Sequence, residues 1–214
     1  MAGTKGLKTR QRIVEMAAPV FNRQGFAGAS MRDLISATGL EKGGIYNHFG
    51  SKEQLALEAY DFAMSRTTNV LARSQDGATD AVDRLTRMIR AFGTFARKPA
   101  IAGGCPIMNT AIEADDGIPE LRDRARESMR LWHRLIGRIV KDGIALETLA
   151  SDTEPYALAA LLTSSLEGAL MLSRLYGDPA YTDRVVDHLV AYVETLRATP
   201  TESGPEESGP EESA

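Results

Sequence analysis

At 214 residues with 43% hydrophobic content, the chain is long enough to bury a substantial core as one or two domains. A single cysteine, Cys105, excludes an intramolecular disulfide, no apolar run reaches the ~18 residues of a spanning helix, and no basic-then-apolar leader opens the chain, so a soluble, cytoplasmic protein without a membrane partner is expected. The net charge of −4 argues against nucleic acid only if it is spread evenly, yet residues 1–53 carry eight Lys and Arg against four Asp and Glu, +4, leaving −8 for the remainder. A basic end on an acidic body suits a phosphate backbone docked at that end alone.

Every convincing periodic segment is helical and none alternates as a strand does, so the fold is expected to be all-α with about nine helices. The first runs from about Thr9 to Gln24, burying Ile13, Ala17, Val20 and Phe21, with Gly25 closing it. Pro19 falls inside that pattern, where a kink or a compensating contact is expected.

Ser30 to Glu53 reads as two short helices around a glycine turn. Ser30 and Asp33 stand at N-cap and N3, Met31, Leu34 and Ile35 point inward, and Gly39 supplies a left-handed stop. In the second helix Leu40, Ile45 and Phe49 face the core, while Gly43, Tyr46 and Asn47 share the opposite face between Lys42 and His48. Adjacent glycines cost a helix about 1 kcal/mol each relative to alanine. Gly43-Gly44 therefore calls for a reason, and close approach of the backbone to another surface supplies one.

Ser51 with Gln54 caps a fourth helix reaching toward Arg73, whose Leu55, Ala59 and Phe62 face the N-terminal unit. A turn at Asp76-Gly77 precedes a fifth, Thr79 to Arg97, with Val82, Leu85, Ile89, Phe92 and Phe95 near one side. Pro99 and Gly103-Gly104 break the chain before a short sixth helix, Pro106 to Glu113, ending at Asp115-Asp116-Gly117. Pro119 launches a long seventh to about Lys141. Asp152 or Thr153 caps an eighth to Tyr176, and Asp178-Pro179 begins a ninth to about Leu196. Two copies of Ser-Gly-Pro-Glu-Glu make the tail an expected disordered, acidic segment.

The chain resembles the TetR family of bacterial transcriptional regulators. The residues that carry the likeness are Arg12-Ile13, Phe21, Gly25-Phe26, Met31-Arg32-Asp33-Leu34, Ala37, Gly39-Leu40 and the run Gly43 to Glu53. In the C-terminal part it rests on helix order, Gly168, Tyr176 and the Gly-Cys-Pro stretch. The resemblance implies a helix-turn-helix DNA-binding domain at 7–67, with the motif at about 30–49, a ligand-binding and dimerisation domain at 68–198, and a tail at 199–214. It implies a homodimer on a palindromic double-stranded DNA operator, released as a repressor by a small organic effector, with no cofactor and no catalysis.

Carried over by position, Lys42, Gly43, Gly44, Tyr46 and Asn47 lie where the family meets bases or nearby phosphates, and Tyr46, His48 and Lys52 where it grips the backbone. Ser30 and Arg32 complete the expected DNA-binding set. Lys42 can donate to guanine and Asn47 can pair with adenine. Family members often have Ser or Thr at the positions of Glu41 and Gly44, which leaves the operator sequence open.

Phe92, Phe95, Met108, Met129, Trp132, His133 and Leu170 are expected to converge on a pocket between the fifth to eighth helices. Leu161, Ser165, Gly168, Ala169 and Leu172, with Leu189 and Val193 on the last helix, form stripes expected in a four-helix dimer interface, the competing reading being a stripe packed on the monomer's own core. Cys105, at a helix start, is a candidate thiol sensor if the helix dipole lowers its pKa, the competing and favoured reading being a small buried cysteine. His48, His133 and His188 are too scattered for a metal site, and Cys105 with His133 lacks a third orienting group for catalysis. A helical binding or scaffold protein without DNA affinity is the remaining alternative.

Overall fold

Capping side chains fix where four of the helices start. In the computed structural model, which describes residues 2–113 and 118–199, these residues form α1 (Ala2–Gly28), α2 (Met31–Thr38), α3 (Lys42–Tyr46), α4 (Lys52–Arg73), α5 (Ala81–Arg97), α6 (Pro106–Glu113), α7 (Pro119–Ala145), α8 (Pro155–Tyr176) and α9 (Ala180–Thr195). Ser30 accepts from the Asp33 N–H while the Asp33 carboxylate accepts from the Ser30 N–H, a reciprocal capping box. Ser51 accepts from the Gln54 N–H and Asp80 from the Asp83 N–H as simple N-caps. Gly39 closes α2 at φ 67°.

α1 starts at Ala2 rather than near Thr9, passes through Pro19 with helical dihedrals, and breaks at Gly25, the residue expected to close it. Two other helix ends differ from expectation. α8 is capped by Glu154, whose carboxylate accepts from the N–H groups of Tyr156 and Ala157, not by Asp152 or Thr153. α7 continues past Lys141 to Ala145. The Asp115-Asp116-Gly117 turn and the acidic tail lie outside the described residues. An isolated antiparallel bridge, Leu149 with Arg197, ties the end of α9 to the α7–α8 loop.

The helices gather around two main apolar cores. Ile13, Val14, Ala17, Leu34, Ile45, Phe49 and Leu55 close the core of a head made of α1 to α3 and the start of α4. A larger body core joins α5, α7, α8 and α9, including Leu85, Ile89, Ile136, Ile139, Leu162 and Leu189. α8 is the one described helix long and apolar enough to cross a membrane by length and composition alone. It carries Glu167 and Arg174, and its Leu158, Leu162, Leu166 and Leu170 are buried in the fold.

Head and body meet in an apolar cluster where Phe21 and Phe26 of α1 and Ala56 and Tyr60 of α4 pack against Leu121 and Ala125 of α7, and through two further junctions. α4 is a single 22-residue helix, about 33 Å long, with Leu55 in the head core and Leu71 buried at its far end. The second junction is polar. Gly25 adopts φ 74°, ψ 175°, which turns the N–H groups of Phe26 and Ala27 toward Glu113 at the end of α6, each at 2.7 Å from a carboxylate oxygen. Asn22 donates to the carbonyls of Ala102 and Gly104, and Asn109 donates back to the Asn22 carbonyl at 2.8 Å.

Gly25 occupies backbone space that only glycine adopts readily, and an added Cβ would collide with the Glu113 carboxylate. Gly25→Ala is expected to destabilise the protein by about 1–3 kcal/mol, read as a lowered urea midpoint. An unchanged midpoint would show that the junction relaxes freely.

Candidate functional site

The exposed surface of the head is built on α2 and α3. α3 is only five residues long, its N-cap residue Glu41 makes no side-chain cap, and Ile45 with Phe49 anchor it from beneath. Lys42, Gly43 and Asn47 are exposed, and Tyr46 is 38% exposed. The Lys42 ammonium lies 5.9 Å from the Tyr46 ring centroid. A Cβ on Gly43 would meet nothing within 4 Å, and one on Gly44 would make only ordinary contact with Leu40. No contact among the described residues demands glycine at either position.

The other expected DNA-facing residues divide. Arg32 is exposed and His48 partly so. Ser30 is engaged in the capping box, its hydroxyl donating to Asp33 at 2.5 Å, which with the backbone bond holds the Asp33 carboxyl below its usual range. Lys52 corrects the sequence reading: its ammonium donates to the Phe26 carbonyl at 2.5 Å and sits 4.2 Å over the Phe26 ring. It pins the α1 end to α4 rather than standing free for a phosphate. Arg10, counted above only as charge, was missed as a structural residue. Its guanidinium lies 4.2 Å over the Phe49 ring, donates to the His48 carbonyl at 2.8 Å and pairs with Glu58. It thereby fixes the turn that follows α3.

In the body a cavity of about 490 Å³ opens between α4, α5, α7 and α8. Phe92, Phe95, Met129 and Trp132 line it as expected. The other three do not. Leu170 is wholly buried in the core and Met108 packs against that core. His133 lines a separate open depression beside Arg126, Arg130 and Arg134. The wall that sequence reasoning missed is α4, which contributes Met64, Thr67, Thr68, Leu71 and Ala72, with Gln75 in the turn that follows it.

Cys105, Ile107, Thr163 and Glu167 also belong to the lining. Burial, then the neighbouring Glu167, push the Cys105 thiol well up, outweighing the lowering effect of the Ile107 and Met108 N–H groups. Its burial, at 5% exposure, favours the small buried cysteine over a helix-activated thiolate. Burial likewise raises the Glu167 carboxyl, partly offset by a hydrogen bond with Cys105. The signal was present in the sequence, since Glu167 is the only charged residue between Pro155 and Ser173.

The stripes on α8 and α9 are corrected by burial. Ala169, Leu189 and Val193 belong to the monomer's interior. Leu161, Ser165, Gly168 and Leu172 keep exposed surface, and a Cβ on Gly168 would meet nothing. Met171 and Leu175, at 70%, extend that exposed face toward the end of α8, where Tyr176 stacks on Tyr181.

The model for bacterial regulatory proteins of the tetR family matches residues 13–59, and that for the tetracyclin repressor-like C-terminal domain matches 81–189. A TetR transcriptional regulator from Chloroflexus aurantiacus superposes with a TM-score of 0.89 at 40% identity, covering 92% of this chain and 100% of that one. An HTH-type transcriptional regulator of Mycobacterium tuberculosis is 28% identical over 183 residues, 82% of this chain and 89% of its own. The HTH-type transcriptional repressor DhaR of Mycobacterium sp. strain GP1 is 25% identical over 169 residues, 78% and 82% of the two chains.

A carboxyl whose folded pKa is raised contributes its stability below the unfolded value, and that contribution is lost as pH rises through the folded pKa. Glu167 is such a group. Glu167→Gln is expected to melt at a higher temperature than the parent near pH 8, with the gap closing toward pH 5. A gap independent of pH, followed by calorimetry, would show that Glu167 is not strained by ionisation.

Proposed function

The chain belongs to the TetR family of bacterial transcriptional regulators, a family of DNA-binding proteins rather than enzymes, and on that premise we propose that it is a homodimeric repressor released from a palindromic operator by a small organic effector. The observation that carries the release is α4, one unbroken helix with Leu55 in the head core and Leu71 in the cavity wall. A ligand filling the cavity pushes on the same rigid element that seats the head. Release then requires only that it bind the DNA-incompetent arrangement more tightly than the competent one. The repressor sign follows DhaR, a relative along most of the chain that is itself a repressor.

Residues 7–67 serve as the DNA-binding domain and 68–198 as the effector and dimerisation domain, with α4 running through the boundary. Lys42 and Asn47 read base edges, where a lysine suits guanine and an asparagine suits adenine. Tyr46, His48 and Arg32 set the head on the phosphates, and Gly43-Gly44 let the α3 backbone come close. Lys52 and Ser30 act indirectly, by holding the head's own geometry. The buried, undissociated Cys105 disfavours thiol sensing.

Fluorescence anisotropy on DNA from upstream of the chain's own gene, against random duplex at two salt concentrations, tests the reading. Selective binding that weakens with salt is expected. Tyr46→Ala should weaken binding to all sequences, whereas Asn47→Ala should lose about 1–3 kcal/mol of discrimination at one base position per half-site. Equal losses on operator and random DNA would remove Asn47 from the base readers.

The open face of α8 supplies the dimer contact, Leu161, Gly168, Leu172 and Leu175 lying at helical spacing. Leu175→Glu, at an exposed position with no effect expected on monomer stability, should shift sedimentation from dimer to monomer at micromolar concentration. A dimer that survives would move the interface elsewhere.

A further inference from the structure

We infer that the cavity between α4, α5, α7 and α8 selects apolar, ring-bearing amines, with the Glu167 carboxylate as counter-ion and the Thr163 hydroxyl as a second hydrogen-bonding partner. This rests on the effector reading above and specifies the ligand chemistry of that site.

The cavity of about 490 Å³ is walled mainly by aliphatic, methionine and aromatic side chains. Glu167 is the only carboxyl group among its described lining residues, and no Lys, Arg or His joins it there. Glu167 Oε2 is buried with no hydrogen-bond partner, and so is Thr163 Oγ1. The two residues stand one turn apart on α8, at i and i+4, and share a face. A buried carboxyl with an idle oxygen and no cationic neighbour is expensive for the empty protein. A ligand that brings its own donor and positive charge removes that cost on entry.

The aromatic lining points the same way. Trp132, Phe92 and Phe95 present π-systems to the cavity, which attract a cation and offer nothing comparable to an anion. An anionic ligand would meet Glu167 in a low-dielectric site with no compensating charge. A neutral ligand fills the apolar volume and can at most donate a hydrogen bond to Oε2, leaving its charge unbalanced. Only the ammonium satisfies the carboxylate, the hydroxyl and the rings together.

The test uses the full chain and three probes of one shape, 1-pyrenemethylamine, 1-pyrenemethanol and 1-pyrenecarboxylic acid, titrated at neutral pH and followed by energy transfer from Trp132, the only tryptophan. The amine is expected to bind about tenfold or more tighter than either other probe. Glu167→Gln should abolish that preference while leaving the alcohol's affinity unchanged, and Thr163→Val should weaken the amine alone. Equal affinities, preference for the acid, or a preference that survives Glu167→Gln would overturn the assignment. If the alcohol binds but no headgroup preference appears, the assignment fails while the cavity remains a ligand site. If no probe enters, the effector reading of the cavity fails with it.

Discussion

The continuity of α4 is the constraint on which the rest depends. A helix without a break transmits displacement along its length because each turn is hydrogen-bonded to the next. Here one end is locked by Leu55 in a core shared with Ile45 and Phe49, which seat α3. The other end forms one side of a cavity and so is left without dense packing on that face. On the proposed reading, the apolar void is what leaves α4 responsive, since a solidly packed body would hold it in a single position.

The polar junction of α1 with α6 gives that helix something to work against. Glu113 holds two backbone N–H groups beyond Gly25, and Asn22 and Asn109 tie α1 to the loop before α6. Head and body thus touch through a rigid strut, a hydrogen-bonded latch and the apolar cluster of α1, α4 and α7. Hydrogen bonds depend steeply on geometry, so a small tilt of the head is resisted until those bonds rearrange and is tolerated afterwards. The same side of the head is tightened by Lys52 on Phe26 and by Arg10 on Phe49, His48 and Glu58. Charge that composition alone assigns to DNA is thus partly devoted to the shape of the head.

Local signals were legible in the sequence and partners were not. Ser30 with Asp33, Ser51 with Gln54 and Gly39 act on neighbours a few residues away, and each stands where the spacing put it. Lys52 with Phe26 and Gly25 with Glu113 join residues far apart in the chain, which periodicity does not address. α8 defeats the face argument for another reason: it is apolar nearly all round, so its pattern did not separate the core positions Ala169 and Leu170 from the open ones Leu161 and Leu175. The same difficulty moved Met108, His133 and Leu170 out of the cavity and hid the α4 wall. In the head, amphipathic contrast was sharp, and Lys42, Gly43, Tyr46 and Asn47 are exposed as the pattern indicates.

If two copies joined at α8 hold their heads at a fixed separation, the DNA they choose must carry that separation. Selection by the full chain from a pool of randomised duplexes measures it directly. The account predicts an enriched two-fold symmetric motif whose half-site centres lie about one helical turn, ~10 bp, or a multiple of it apart. Enrichment of an unsymmetrical single half-site, or of no motif at all, would contradict it.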